Sequence, residues 1–205
     1  MYKLCIFGAG GFAKEVFWLA KQCGKEIDAF IDLNAGENYY GTNIENDNYF
    51  DPSKHKAVVA VGSPLLRNTI VVKIINRYGK DVFDTLVAPS VNLMSNTIDI
   101  GYGSIICGNC ILTCDIKLGH WSQLNLATTI GHDVKTGDFF TTAPGVHING
   151  KVNIGDRVYF GSNSSTVEDI SIYENTIIGA GACVSKDIVE SGTYVGIPAK
   201  KLEKK

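Results

Sequence analysis

The chain has 205 residues, which is enough for one large domain or two small ones. Hydrophobic residues make up 45% of it, charged residues make up 20%, and the net charge at pH 7 is −2. Such a charge balance creates no positive electrostatic potential that would attract nucleic acid. The apolar runs are far shorter than the roughly 20 residues of a membrane span. Because the N-terminus also lacks a signal-peptide pattern, the sequence predicts a cytoplasmic globular protein with neither nucleic acid nor membrane as a partner.

The N-terminal part of the chain alternates between strand and helix patterns. Apolar strand-like runs at 3–7, 27–31 and 57–61 are separated by turns, and a glycine-rich turn at 8–11 follows the first of them. This order predicts a small parallel α/β domain of the Rossmann type over residues 1–88, with its ligand site at the carboxyl edge of the strands. The apolar residues at helical spacing are Phe12, Val16, Leu19 and Cys23, then Leu66, Ile70, Ile74 and Tyr78.

A six-residue repeat runs without a break from Ile100 to Val184. Every sixth residue of this segment, here called a step residue, is large and apolar in twelve of fifteen cases. Glycine often follows the step residue, which suits a corner where the backbone turns sharply. Neither a helix with 3.6 residues per turn nor a strand with a period of two produces this spacing.

A period of six fits a triangular solenoid, in which each hexapeptide contributes one short strand and one corner, and three hexapeptides complete a coil. The sequence therefore predicts an all-β C-terminal domain over residues 89–205, folded as a parallel β-helix. Exposed corners and few charges on the flat faces favour assembly, so we expect a homo-oligomer with sites between subunits.

Two zinc-site interpretations compete with this one. Three cysteines lie between residues 107 and 114, and CxxC spacing can bring two thiolates onto zinc, although the repeat already explains Cys110 as a small inward-facing residue. His120, His132 and His147 could form the zinc site of a β-helix carbonic anhydrase, but the repeat places them on different faces. The sequence favours free thiols and no metal.

His132 is the strongest candidate for a catalytic residue by position. It lies two residues after a step residue, at an exposed corner, and residues 18 positions away stack above and below it. Its column neighbours, Cys114 and Gly150, are both small and leave a notch around the imidazole. The alternative is a solvated corner histidine without a catalytic role. His120 has the same repeat position beside Asp138 and is interpreted as part of a structural ladder.

Three segments together resemble the sialic acid O-acetyltransferase family of hexapeptide acyltransferases: the repeat array, the opening 8–14 and the closing 194–200. Within that family, the chain is most similar to bacterial N-acetyltransferases of nucleotide-linked 4-amino-4,6-dideoxy sugars, including those that make acetylated bacillosamine-type precursors. The resemblance covers nearly the whole chain. It implies a left-handed β-helix, a homotrimer, acetyl-CoA between neighbouring β-helices, and a UDP- or dTDP-sugar held by the N-terminal domain for surface-glycan synthesis, such as that of lipopolysaccharide O-antigen.

The resemblance also implies roles for residues at matching positions. The segment 129–133 lies where similar enzymes carry their general base, so His132 is expected to accept a proton from the sugar ammonium, and Asp133 to orient the ring. Relatives often carry a second histidine at the position of Thr141, which leaves a side-chain contact there open. The expected cofactor contacts are Thr141, Gly150, Ser162 and Ala180, with Gly150 also near the oxyanion.

The glycine-rich turn matches the GxGxxA fingerprint of dinucleotide-binding domains, with Asp32 at the end of the next strand. Amides at a helix N-terminus also suit a sugar diphosphate, and the domain has only about half the length of a two-lobed nicotinamide fold. Arg67 is interpreted either as a phosphate ligand or as a solvated helix residue. Relatives usually have His in place of Phe12 and Asp in place of Leu33, so the base or sugar preference is open. The predicted nucleotide-sugar residues are Gly8, Ala9, Gly10, Gly11, Phe12, Asp32, Leu33, Gly62 and Arg67.

The predicted reaction is direct acetyl transfer from acetyl-CoA to the 4-amino group of a nucleotide-linked 4-amino-4,6-dideoxyhexose, without an acyl-enzyme. One alternative is an O-acetyltransferase that acts on a sugar hydroxyl or a sialic acid, because a hydroxyl needs the same base. The other alternative is a non-catalytic scaffold that binds a nucleotide sugar, and the intact Gly131-His132-Asp133 argues against it.

Overall fold

The structure is a computed structural model that describes residues 2–203. Its N-terminal part is an α/β domain, as predicted. The strands are β1 Lys3–Phe7, β2 Ile27–Ile31, β3 Asn38–Tyr39, β4 Thr42–Glu45 and β5 His55–Val59, and the helices are α1 Gly11–Gln22, α2 Pro64–Tyr78 and a 3-10 helix at Lys80–Val82.

These strands form one sheet in the order β3-β4-β2-β1-β5, parallel except for the β3–β4 hairpin. Alternate residues of β1 pack in opposite directions: Leu4 and Ile6 lie in a cluster with α1, while Cys5 and Phe7 lie in a cluster with α2. The ends of β1, β2 and β5 meet at one edge of the sheet beside the glycine-rich turn. No helix within residues 2–203 is long and apolar enough to span a membrane.

The rest of the described chain is a parallel β-helix with three faces that the chain visits in turn. Strands 18 residues apart pair in register, for example Thr129 with His147. The β-helix begins at Leu86, just before the predicted domain boundary. The first face contains β6 Leu86–Val87, β9 Ile105–Ile106, β12 Gln123–Leu124, β15 Thr141–Thr142, β18 Tyr159–Phe160, β21 Thr176–Ile178, β23 Gly192–Val195 and β24 Lys200–Lys201. The second face contains β7 Asn92–Leu93, β10 Ile111–Leu112, β13 Thr129–Ile130, β16 His147–Ile148, β19 Ser165–Thr166 and β22 Cys183–Val184, and the third contains β8 Asp99–Ile100, β11 Lys117–Leu118, β14 Lys135–Thr136, β17 Asn153–Ile154 and β20 Ser171–Ile172.

The step residues form the core of the β-helix. Most of the apolar ones are fully buried in a single cluster, among them Ile106, Leu112, Leu124, Ile130 and Phe160. The three polar steps are threonines, and each hydroxyl accepts a hydrogen bond of 3.0 Å from a backbone N–H one coil earlier, so no hydroxyl is left unsatisfied. These pairs are Thr136 with Gly119, Thr142 with Asn125 and Thr166 with Asn149.

The glycines that follow the step residues allow the coils to stack closely. None of them has a positive φ, because the left-handed residue of each corner comes two positions later, as at Asp133 (φ 60°). A Cβ on Gly119 would fall 2.1 Å from the carbonyl oxygen of Gly137, and a Cβ on Gly131 would fall 2.7 Å from the amide nitrogen of Gly150. The expected reason for these glycines, a sharp backbone turn, is therefore wrong: the backbone of the next coil leaves no room for a side chain.

The N-terminal domain packs on the first face of the β-helix through two apolar clusters. Val16 of α1 lies in one cluster with Ile105, and Val71 of α2 lies in the other with Trp121 and Phe139. The ligand edge of the sheet is therefore fixed relative to the β-helix. In a triangular prism, the corner opposite the first face is the one between the second and third faces.

Candidate active site

His132 lies at the corner between the second and third faces, directly after β13. Its side chain is 49% exposed, and its Nδ1 lies 2.8 Å from Oδ2 of Asp133. Asp133 is the left-handed residue of this corner, a conformation that aspartate adopts more readily than most residues. Because the carboxylate accepts the Nδ1 proton, Nε2 carries the free lone pair and is the atom that can accept a proton.

Gly150 lies against the Nε2 side of this ring, on the next coil. A Cβ at Gly150 would fall 2.5 Å from Nε2 and 2.6 Å from Cε1 of His132. Within residues 2–203, the N–H group of Gly150 donates no hydrogen bond. A side chain at Gly131 would cover that N–H, since its Cβ would lie 2.7 Å from the nitrogen. A backbone donor without a partner among the described residues thus lies beside the imidazole, on a glycine that is buried in the single chain.

The other residues predicted to bind the cofactor do not meet His132 within one chain. Ser162 and Ala180 follow β18 and β21 at the corner between the first and second faces, so the second face separates them from His132. Thr141 is 3% exposed on the first face, beneath the N-terminal domain, and its Oγ1 lies 2.5 Å from Nη2 of Arg67. The side-chain contact of Thr141 with a cofactor, which the sequence left open, would compete with this bond to Arg67.

Arg67 is buried between the two domains, with only 1% of its surface exposed. Each of its N–H-bearing nitrogens bonds to protein acceptors at 2.5–3.0 Å, so it has no donor left for phosphate and is not a solvated helix residue either. Both interpretations from the sequence are wrong for this reason. Burial lowers the pKa of Arg67 to about 9, and no carboxylate among the described residues bonds to it. Its acceptors are the carbonyl oxygens of Val61, Trp121 and Phe139, the side-chain oxygens of Gln123 and Thr141, and, at 3.5 Å, the carbonyl oxygen of Gly62.

The glycine-rich turn presents backbone amides at the ligand edge of the sheet. Gly8 has a φ of 109°, and a Cβ there would fall 3.1 Å from the carbonyl oxygen of Ala60. Gly10 and Gly11 are exposed, and nothing lies within 4 Å of the positions that their side chains would take. The first N–H groups of a helix have no intrahelical partner, so the start of α1 suits a diphosphate. Phe12 is half-buried and packs on the cluster beneath α1.

A cavity of about 570 Å³ lies beside this turn, between the ends of β1, β2 and β5 and the side of α2. Asp32 lines it, and its Oδ2 accepts a hydrogen bond of 2.9 Å from the N–H of Ala9. Leu33 also lines it and is 95% exposed. Gly62 lies exposed just after β5, next to Val61, which forms part of the wall.

Sequence reasoning missed three residues of this cavity. Lys73 of α2 contacts Asp47 of the β4–β5 loop, and both line the cavity. Tyr78 lines it as well, and its hydroxyl is buried without a hydrogen-bond partner among the described residues. An orphaned hydroxyl is rare in a folded protein and is consistent with a ligand site. The helical period of α2 was the available signal, since residues 66, 70, 73, 74 and 77 share the side that faces the cavity.

Comparison with known proteins finds relatives of both parts of the chain. The family model of the PglD N-terminal domain matches residues 3–74. GDP-perosamine N-acetyltransferase of Escherichia coli O157:H7 is 28% identical over 86% of this chain and 82% of its own length. The acetyltransferase domain of PglB from Neisseria gonorrhoeae, solved in complex with acetyl coenzyme A, is 27% identical, with a TM-score of 0.89 over 98% of both chains.

The chain is an acetyltransferase with the two-domain fold of these relatives. The structure of WeeI from Acinetobacter baumannii also resembles it, with 28% identity and a TM-score of 0.90 over 98% of this chain and all of WeeI. The predicted resemblance, enzyme class and two-domain fold of the acetyltransferase are thereby confirmed.

Other histidines and cysteines of the acetyltransferase have structural surroundings. The N–H of Tyr102 donates to Nδ1 of His120 at 3.2 Å, and the carboxylate of Asp138 accepts from the backbone N–H of His120 at 2.8 Å. Cys110 is fully buried inside the β-helix. Within residues 2–203, no three His, Cys, Asp or Glu side chains are grouped so that they could hold a metal ion, and the structure gives the zinc interpretations no support.

Proposed function

We propose that this acetyltransferase moves the acetyl group of acetyl-CoA to the 4-amino group of a nucleotide-linked 4-amino-4,6-dideoxyhexose, in the cytoplasmic synthesis of a surface-glycan precursor. The observation that carries the proposal is the corner at His132, where a half-exposed imidazole bonds to Asp133 at 2.8 Å and lies beside the N–H of Gly150, which has no hydrogen-bond partner among the described residues. The Escherichia coli relative named as a GDP-perosamine N-acetyltransferase and the Neisseria domain solved with acetyl coenzyme A support the two substrates.

His132 would act as the general base. An amine attacks a thioester only with its lone pair free, so the sugar ammonium must lose a proton before or during attack. Nε2 takes that proton as the C–N bond forms, while Asp133 holds the ring through Nδ1. When the tetrahedral intermediate collapses, the C–S bond breaks, the proton passes from Nε2 to the departing CoA sulfur, and the nitrogen releases its second excess proton to solvent. The products are the acetamido sugar and CoA, and no acyl-enzyme is formed.

The N–H of Gly150 would stabilise the oxyanion. Charge develops on the acetyl oxygen during attack, and a fixed backbone donor beside the base costs no reorganisation at that moment. Gly150 is buried in the single chain, and a side chain at Gly131 or at Gly150 would crowd this donor or the imidazole beside it.

The site would be completed by a second copy of the chain. The N-terminal domain covers the first face, whereas His132 lies at the opposite corner, so a nucleotide sugar held by one chain faces away from the His132 of that chain. In the homotrimer that we propose, the nucleotide sugar of one chain meets the His132 of the next. Acetyl-CoA would lie between the β-helices, where the corner at Ser162 and Ala180 of the neighbouring copy can contact it.

The nucleotide would bind along the ligand edge of the N-terminal domain. The amides of Gly10, Gly11 and Phe12 suit the diphosphate, and the cavity lined by Asp32 and Leu33 suits the nucleoside. The family resemblance favours UDP or dTDP, and the name of the Escherichia coli relative adds GDP to the nucleotides to be tested.

The test is incubation with acetyl-CoA and UDP-, dTDP- and GDP-linked 4-amino-4,6-dideoxyhexoses while CoA thiol release is followed. The 4-hydroxy sugars serve as matched controls, and brief treatment of the isolated product with alkaline hydroxylamine distinguishes the linkage, because it cleaves acetyl esters and leaves amides intact. We expect thiol release with at least one amino sugar and a hydroxylamine-stable product. Turnover of the hydroxy sugars alone would replace the proposal with O-acetylation, and no turnover on any of them would reject it.

A further inference from the structure

We infer that Arg67 is a positioning residue, which fixes the nucleotide-binding edge of the N-terminal domain against the first face of the β-helix through Gln123 and Thr141. The inference rests on the proposed function in one respect, because that function assigns the nucleotide sugar to this edge. It gives Thr141 a role in holding Arg67 rather than in holding the cofactor.

The guanidinium joins three segments that are far apart in the sequence. Nη1 donates to the carbonyl oxygen of Val61 at 2.8 Å and to Oε1 of Gln123 at 2.9 Å. Nη2 donates to the carbonyl oxygen of Phe139 at 2.9 Å and to Oγ1 of Thr141 at 2.5 Å. Nε donates to the carbonyl oxygen of Trp121 at 3.0 Å. One rigid planar group thus sets the distance and angle between the end of β5 and the strands β12 and β15.

The acceptors indicate that orientation is what this arginine provides. All of them are neutral, and burying a guanidinium without a carboxylate is costly, so an apolar side chain of similar size would fill the space with less desolvation. An apolar side chain cannot fix geometry, whereas the five N–H groups of arginine bind several acceptors in one plane. Lysine has three rotatable N–H groups on a single nitrogen and cannot reach acceptors on both sides of the interface in the same way.

The segment that Arg67 holds is the wall of the nucleotide cavity. Val61 lines that cavity, and its Cγ2 would lie 3.1 Å from a Cβ on Gly8 of the glycine-rich turn. A second bond, from Nε2 of Gln123 to the carbonyl oxygen of Val59 at 2.7 Å, ties the same segment to β12. Loss of Arg67 would therefore loosen the nucleotide side of the enzyme, while the corner at His132 lies on the opposite side of the prism.

Variants of Thr141 distinguish this inference from the hypothesis that Thr141 contacts the cofactor. If its hydroxyl holds Arg67, then Thr141→Val weakens nucleotide binding and leaves CoA binding alone. If its hydroxyl holds the cofactor, the same variant weakens CoA binding instead. Thr141→Ser keeps the hydroxyl and serves as the conservative control.

The experiment measures dissociation constants for UDP, dTDP, GDP and CoA by calorimetry in the full-length protein, together with the KM for each substrate. For Arg67→Met, we expect nucleoside diphosphate binding to weaken by about tenfold and CoA binding to change by less than about twofold. Thr141→Val should shift the same way by a smaller factor, Thr141→Ser and wild type should agree, and the double variant should be no worse than Arg67→Met, since both act through one bond. Arg67→Lys should fall between wild type and Arg67→Met.

Arg157→Met is the matched control. Arg157 bonds to Asn175 and Glu174 at 2.8 Å each, both within the β-helix. Its loss should lower the melting temperature without weakening the binding of nucleoside diphosphate more than the binding of CoA. Equal weakening of both ligands in Arg67→Met, or weakening of CoA alone in Thr141→Val, would overturn the inference. If Arg67→Met does not fold, the two Thr141 variants decide. A wild-type protein that binds both ligands but acetylates no amino sugar would reject the proposed function and leave this binding test valid.

Discussion

Two glycines determine what His132 can contact. The ring bonds to Asp133 through Nδ1, and its Nε2 side lies over Gly150 with no space for a methyl group between them. Gly131 leaves the N–H of Gly150 uncovered. The proposed base and the proposed oxyanion donor are therefore neighbours because two side chains are missing, and a single methyl group is enough to test this.

Gly150→Ala should displace the imidazole, because the new Cβ would fall 2.5 Å from Nε2. A misplacement of about 1 Å costs roughly 100-fold in rate, so we expect kcat to fall by at least tenfold while the fold is retained. Steady-state kinetics with circular dichroism measures this, and Asn149→Ala at the exposed neighbouring position is the control. Equal activity of the two variants would contradict the described ring position.

The reactivity of two cysteines tests whether they are buried as the structure shows. Burial raises the pKa of Cys107 to about 12 and that of Cys110 to about 11, so at pH 8 almost none of either thiol is in the reactive thiolate form. In the native protein, Ellman's reagent should leave both unlabelled, and after denaturation both should react. Mass spectrometry of the labelled peptides identifies them, and native labelling at Cys110 would show that the interior of the β-helix is open.

At the level of the repeating element, the sequence predicted the core and misjudged the corners. Each step residue points into the interior of the β-helix, so the six-residue spacing is visible in the sequence itself. Ile130 and Phe160 could therefore be assigned to the core without a structure. The glycines after the steps depend on the backbone of the next coil, 18 residues away. The sequence therefore gives no sign of contacts such as that of Gly119 with Gly137.

Gly119→Ala tests the close stacking of the coils. Its Cβ would fall 2.1 Å from the carbonyl oxygen of Gly137, which is backbone and cannot move aside without shifting a whole coil. We expect the free energy of unfolding to fall by about 1–3 kcal/mol, as for overpacked interiors. Lys117→Ala, at an exposed position of the same coil, should change it by less than about 0.5 kcal/mol in the same denaturant titration. A neutral Gly119→Ala would mean that the coils are further apart than described.

The residues between the elements could not be predicted from the pattern. Arg67 follows the period of α2 but is buried by strands that come 56–74 residues later, so its acceptors have no local signal. The contact between Lys73 and Asp47 likewise depends on how a loop returns over the helix. Local spacing predicts which face a residue takes, whereas the partner it meets there is decided by the packing of whole domains.

On the scale of the whole molecule, the two halves of the proposed site lie on opposite sides of one chain. The sequence could order the two domains, but only the structure shows that the N-terminal domain packs on the first face, opposite the corner that carries His132. This arrangement makes a direct prediction about mixed oligomers.

Gly10→Asp and His132→Asn should each abolish activity, and mixed oligomers of the two should regain it. Asp at position 10 fits sterically, since nothing lies within 4 Å of its Cβ, but its charge would repel a diphosphate. Random mixing pairs an intact nucleotide edge with an intact base in about a quarter of sites, so we expect about a quarter of the wild-type rate in assemblies refolded from equal amounts. Mixtures that stay inactive would mean that each chain builds its own site.

The most direct test of the account is the rate of CoA release by His132→Asn at saturating acetyl-CoA and amino sugar. Asparagine fits the exposed corner but cannot accept the ammonium proton, and general-base catalysis contributes about 100-fold to 10,000-fold. We predict a fall in kcat of at least 100-fold, with unchanged dissociation constants for CoA and nucleoside diphosphate and an unchanged melting temperature. A variant that retains more than about a tenth of the wild-type kcat would remove His132 from the chemistry and contradict the account.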